Sequence, residues 1–146
     1  MPPESILRTS LWSSELAKLA SDALPDQRIS SINIISAICE ATGADITEVS
    51  CAVGMDPRIG SSYLESDLGF GGSCLKKDTL GLAYLADFFR LPEAAAYLKT
   101  VVESSTWQVD RFVEKVMKSL HGTLRGQKLA IFGYAFKENT SDSRES

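Results

Sequence analysis

The chain has 146 residues, a formal net charge of −4, 44% apolar and 23% charged residues, the balance of an ordinary soluble globular protein. That acidic excess excludes a general nucleic-acid binder, which needs a basic face, and no apolar run approaches the roughly 18 residues of a membrane span. Three cysteines without a CxxC pair and one histidine offer neither a disulfide framework nor a zinc ligand set, so no metal is expected and a reducing, cytoplasmic setting is.

Residues 1–10, with Pro2 and Pro3 and no periodicity, read as a disordered arm, and their lack of an apolar core argues against a secretory leader. From Leu11 the apolar spacing turns helical, through Leu16, Leu19, Ala20, Ala23 and Leu24, then Ile29, Ile32, Ile35, Ile38 and Cys39. Ser13 or Ser14 is placed to cap the start and Gly43 to end the run. Pro25 interrupts it. An interior proline costs about 3 kcal/mol, so a kink or two helices are expected. "ADITEVSCAVG" predicts a short helix, with Asp45 and Glu48 at capping-box spacing and Gly54 as terminator.

Residues 55–73 read as a loop, and helix signals resume at Ser73 and run to Leu91, with Pro92 suited to open the next helix. That last helix carries one stripe: Leu98, Val101, Val102, Ser105, Val109, Phe112, Val113, Val116 and Leu120, closed by Gly122. Trp107 lies off the stripe and is either a half-exposed aromatic or a contact with another chain or domain. The period then changes. "KLAIFGYAF" (128–136) has the pattern of a buried first strand entering an α/β unit. The chain therefore reads as mainly α: a helical domain over 11–122, followed over 126–146 by the first strand of an incomplete α/β domain.

"GFGGSCLKKD" (69–78) carries the chemistry. With Ser73 as cap, Cys74 falls at the first helical position, where the helix dipole favours a thiolate. Lys77 and Asp78 follow three and four residues later on the same face, and Gly71 and Gly72 allow a ligand close to the backbone. Such a set can form a covalent intermediate and handle the water that resolves it. The plainer alternative is a buried Cys74 with Lys77 and Asp78 as a solvated pair, and the local pattern leaves both open. It is not a dinucleotide fingerprint, because the third glycine and the preceding strand are missing. Cys39 and Cys51 read as core fillers, and His121 as a helix stop.

Taken together, "WSSELAKLA", "QRISSINIISAICEATGADITEVSCAVGMDPRIG", "GFGGSCLKKD" and "FGYAFKENTSDSRES" resemble the UDP-glucose 6-dehydrogenases of the UDP-glucose/GDP-mannose dehydrogenase family, in order from about Leu11 to Ser146. The resemblance implies a longer architecture: an NAD-binding Rossmann domain, a central helical domain that forms the dimer, and a UDP-binding domain. This chain matches the second and the start of the third. It implies NAD as cofactor, UDP-glucose and UDP-glucuronate as ligands, and a homo-oligomer built through the central helices.

It also implies that Cys74 is the nucleophile, Asp78 the carboxylate that assists water and proton transfer, and Lys18 the cation that stabilises an oxyanion. Arg58 matches an arginine that reaches a substrate across the dimer. Phe70 and Gly71 fall in the loop along the UDP-sugar, together with Glu65, which stands where a lysine is common. Lys137 matches a substrate-binding lysine, and Lys77 and Arg144 lie beside the cofactor. Asp22 stands where the family has asparagine, and Pro25 and Asp26 replace helix-compatible residues nearby. The expectation is a dehydrogenase fragment inactive alone. The alternatives are a non-catalytic dimerisation module and a thiol-reactive redox protein.

Overall fold

The computed structural model describes residues 6–72, 74–135 and 137–143. Four helices carry the fold: α1 (Leu11–Thr42), α2 (Ile46–Gly54), α3 (Leu75–Phe88) and α4 (Pro92–Ser119). Helices α1, α3 and α4 pack on one another, whereas α2 rests on α1 alone. The mainly α class read from the sequence is the class observed.

Helix α1 starts one turn earlier than its serines suggested. Ser10 is the cap, its hydroxyl accepting the Ser13 N–H over 3.2 Å, because the chain is already helical by Leu11. Pro25 lies inside an unbroken helix of 32 residues, so neither a break nor a pair of helices is seen. The missing hydrogen bond, worth about 3 kcal/mol, is offset by packing: Ala23, Asp26, Ser30, Ile32, Asn33, Ser36 and Cys39 are all buried. The helix ends at Gly43, whose φ of 79° is left-handed and whose N–H bonds the Cys39 carbonyl. Since a Cβ there would meet nothing within 4 Å, Gly43→Ala isolates the backbone cost. Urea denaturation is expected to show a loss of about 1 kcal/mol.

Asp45 caps α2 by accepting the Thr47 N–H over 2.7 Å. None of the helix is buried. Cys51 is therefore exposed rather than a core filler, while Cys39 is buried as expected. Helix α3 begins at Leu75 with Cys74 as its cap residue, one position later than predicted; Ser73 lies outside the described residues. It stops at Phe88, short of Leu91, because Arg90 turns left-handed at φ 58° before Pro92 opens α4.

The α4 stripe is covered only in its first half. Ala95, Val101 and Val102 are buried, but Val109, Phe112 and Val113 are 44–52% exposed. No strand forms among the described residues. Ile131, Phe132 and Tyr134 are 84–95% exposed, since a single extended segment has no neighbour with which to build a ladder. Phe136, the last residue of the predicted strand, lies outside the described residues. So do residues 1–5 of the predicted arm, of which 6–10 are irregular and exposed.

The core is small and partly polar, so hydrogen bonds fix much of the register. Ser30 donates to the Val101 carbonyl over 3.0 Å, joining α1 to α4. Asn33 accepts the Asp67 N–H over 2.9 Å and Gln108 donates to the Asp67 carbonyl over 2.9 Å. These bonds hang the 64–71 loop between α1 and α4.

Candidate functional site

A charge cluster joins the N-terminal half of α1 to the first turn of α3. The Lys18 ammonium donates to Asp22 Oδ2 over 2.8 Å and also to Asp78 Oδ2. On the other side of the same carboxylate, the Lys77 ammonium lies 2.8 Å from Asp78 Oδ1. The Asp78 side chain is only 4% exposed, while those of Lys18 and Lys77 are 58% and 67% exposed. Two ammoniums thus meet one nearly buried carboxylate.

Lys18 first, and Lys77 after it, hold the Asp78 carboxyl well below the usual carboxylate range. The hydrogen bonds that Lys18 donates to Asp22 and Asp78 in turn push its ammonium above its ordinary value. Lys18 and Asp78 therefore face each other as an ion pair at neutral pH. Asp78 belongs to the first turn of α3, where its N–H bonds the Cys74 carbonyl over 2.9 Å. Cys74 itself is exposed and free, so it is not a core filler. The structure brings Lys18, Asp22, Lys77 and Asp78 together, with Cys74 at the head of the same turn.

Beside this cluster, one residue further along α3 and one turn further along α1, lies a second pair that motif reading missed. Thr79 donates to Asp26 Oδ2 over 2.6 Å in a fully buried contact. Burial pushes the Asp26 carboxyl up to about 6, against the lowering effect of the Thr79 hydrogen bond. One signal was available: Asp26 follows Asp22 by four residues and Lys18 by eight, on one face of α1.

Residues 12–106 match the central domain of the UDP-glucose/GDP-mannose dehydrogenase family. The chain belongs to that family. It is 52% identical over all 146 residues to the UDP-glucose 6-dehydrogenase of Drosophila melanogaster and covers 31% of that protein. It is 53% identical to those of Mus musculus and Caenorhabditis elegans, again over its full length, and covers 30% of each. A solved UDP-glucose dehydrogenase from the hyperthermophilic archaeon Pyrobaculum islandicum superposes with a TM-score of 0.81 at 37% identity, covering 90% of this chain and 30% of that one. The chain thus spans about 30% of the length of these relatives.

Phe70 and Gly71 line a groove of about 550 Å³ between the 67–71 loop and α4, which Lys76, Val109 and Phe132 also line. Its wall is fixed by Ser105, whose hydroxyl accepts the Phe70 N–H over 3.3 Å. Gly69, at φ 136°, is required there because any Cβ would strike that hydroxyl. Glu65 opens instead onto a separate recess of about 400 Å³ with Ile29 and Tyr63.

Arg58 projects from the turn after α2 with its side chain 86% exposed, gripped by Asp56 through Nη2–Oδ2 at 2.5 Å. Arg28 holds that turn by donating to the carbonyls of Ile59 and Gly60 over 2.7 and 2.6 Å. Within one chain, Arg58 makes its contacts away from Cys74. Lys137 lies in the irregular segment after α4, and Arg144 lies outside the described residues. Trp107 is 45% exposed, with the Arg111 guanidinium 5.7 Å from its ring centroid.

Proposed function

We propose that this chain supplies the helical half of a UDP-glucose 6-dehydrogenase site, with 11–122 as the central domain and 126–146 as the start of a UDP-binding unit. One observation carries the reading. A nearly buried Asp78 carboxylate sits between Lys18 and Lys77, one turn into the helix that Cys74 heads. The full-length identity to enzymes of that name supports it.

In this reading the C6 alcohol of UDP-glucose is oxidised to the carboxylate in two stages. The Cys74 sulfur adds to the C6 aldehyde, forming a C–S bond, and Lys18 donates to the oxygen that takes the electron pair, as a fixed cation does at a developing alkoxide. At the acyl level, water attacks the thioester, Asp78 directs it and helps move its proton, and the Cys74 thiol leaves. Phe70 and Gly71 lie along the nucleotide-sugar, with Glu65 and Lys137 nearby, and Arg58 serves a second copy of the chain.

Two NAD molecules in succession would supply the hydride acceptors, one for the alcohol and one for the thiohemiacetal that becomes the thioester. The described residues do not themselves make a dinucleotide cradle: Lys77 offers one cation, already engaged by Asp78, and no glycine-rich turn follows a strand. The reading therefore predicts an inactive isolated chain. With UDP-glucose and NAD, the 146-residue chain is expected to form no NADH at 340 nm. The same chain, replacing the matching segment of its Drosophila relative, is expected to restore NADH formation. NADH formation by the isolated chain, or a silent but folded chimera, would contradict the assignment.

Asp22 bears on the rate. Its carboxylate takes a share of the Lys18 ammonium that an alkoxide would otherwise receive. In the chimera, Asp22→Asn is expected to raise kcat about tenfold, the effect of roughly one charge-assisted hydrogen bond at a reacting oxygen. A second reading, the non-catalytic dimerisation module, is favoured by the exposed Val109, Phe112 and Val113 on α4. Both readings expect sedimentation velocity to show a dimer that Phe112→Asp weakens, so NADH formation by the chimera is what separates them.

A further inference from the structure

Next to the charge cluster, one turn on along α1, the Asp26–Thr79 contact has no part in the chemistry proposed above. Both residues are 0% exposed. The Thr79 hydroxyl satisfies Asp26 Oδ2, and Asp26 Oδ1 is buried with no partner. Leaving a carboxyl oxygen dry and unpaired is costly, so this bond is held under tight constraint. Any slip of α3 along α1 would strip the second oxygen as well.

Its neighbours give that constraint a purpose. Thr79 directly follows Asp78 on α3, and Asp26 lies two turns after Lys18 on α1, so the two interhelical contacts are successive rungs of one ladder. The outer rung, Lys18–Asp78, relies on a long lysine whose side chain is 58% exposed, and such ion pairs define geometry poorly by themselves. The inner rung has short side chains and no water to replace its partner.

We propose that Asp26 is a positioning residue acting through Thr79: their buried bond holds the first turn of α3 at the height on α1 where Asp78 meets Lys18. This rests on the reading of Lys18 and Asp78 as groups of the reaction. The charges that act on Asp26 are Asp22 on its own helix and Asp78 on α3, both of them paired with Lys18. Burial, with smaller repulsions from Asp22 and Asp78, brings its titration close to neutrality. The inner rung therefore gains a charge as pH rises, and that charge repels the carboxylate it positions.

The test follows the Lys18 ammonium by 15N NMR of the full chain, at about pH 5 and about pH 7, on either side of the Asp26 titration. Wild type and Thr79→Ser are expected to show a protected Lys18 resonance. Thr79→Val, which removes the donor, is expected to exchange about fivefold faster or more, a factor that roughly 1 kcal/mol would produce. Asp26→Asn keeps an acceptor without a charge. It is expected to match the wild type at the lower pH and to lack the wild type's loosening at the higher.

Thr79→Val exchanging as slowly as the wild type, with helix content intact by circular dichroism, would overturn the positioning role. Asp26→Ala, which removes the acceptor, exchanging as slowly as the wild type at the same pH would do the same, and it decides the matter if Thr79→Val unfolds. A wild-type chain with no protected Lys18 resonance would overturn the Lys18–Asp78 pair itself, and with it the reading beneath the proposal.

Discussion

In the chimera described above, Cys74→Ala is expected to cut UDP-glucuronate formation by about 10⁴-fold or more, the scale on which removing a covalent nucleophile acts. The loss should fall at one point of the sequence. Lys18 and Asp78 remain in place without the thiol, because they are held by α1 and by the body of α3 rather than by Cys74. The sugar is then expected to stop at the C6 aldehyde, which lacks the thiohemiacetal route onward. Chromatography of the reaction mixture checks this, with UDP-glucuronate nearly absent and the aldehyde, trapped as an oxime, in its place.

Asp26→Asn is expected to stabilise the chain at neutral pH, by on the order of 2–3 kcal/mol for a shift of about two pKa units at 1.36 kcal/mol each. The sign follows from the direction of the shift. The folded-state carboxyl is raised from 3.8 to about 6, so the folded chain binds this proton more tightly than the unfolded one. That contribution is complete below about pH 4 and is lost as pH climbs through about 6. Asp78 works the other way. Held low by Lys18 and Lys77, it contributes stability above the ordinary carboxylate range and loses it only on further acidification. The two windows are separate, so urea denaturation between pH 5 and 7 reads Asp26 alone among these two. Wild-type stability should fall by about 1 kcal/mol across that interval, and Asp26→Asn should not follow it.

Helix positions were legible in the sequence because the stripes have a clear period and strong punctuation: Gly43, Asp45 and Pro92 each act where they were read. That α1 continues through Pro25 as one helix was not legible, because the cost of an interior proline is local, while the burial that offsets it comes from α3 and α4, distant in sequence. Cys51 was misread for the converse reason. It lies on an apolar stretch, but α2 has only α1 to pack against. The strand over 128–136 has the composition of a buried element, yet burial needs a partner strand that the described residues do not provide.

For the site, Cys74, Lys77 and Asp78 were readable as a group because they fall within one helical turn. Lys18 was not. It lies 60 residues from Asp78, and only family resemblance linked them. Asp26 and Thr79 were the hardest, because a small polar pair at a helix crossing has no motif. The outlying Arg58 and Glu65 make their contacts elsewhere within one chain, and no local pattern ties them to the thiol.

The account turns on a covalent bond between Cys74 and the sugar. Peptide mass spectrometry of the chimera, acid-quenched during turnover of UDP-glucose, reads that bond directly. The predicted result is the Cys74 peptide carrying a UDP-glucuronyl thioester that is absent without substrate. Steady UDP-glucuronate formation with no adduct on Cys74, and undiminished in Cys74→Ala, would contradict it.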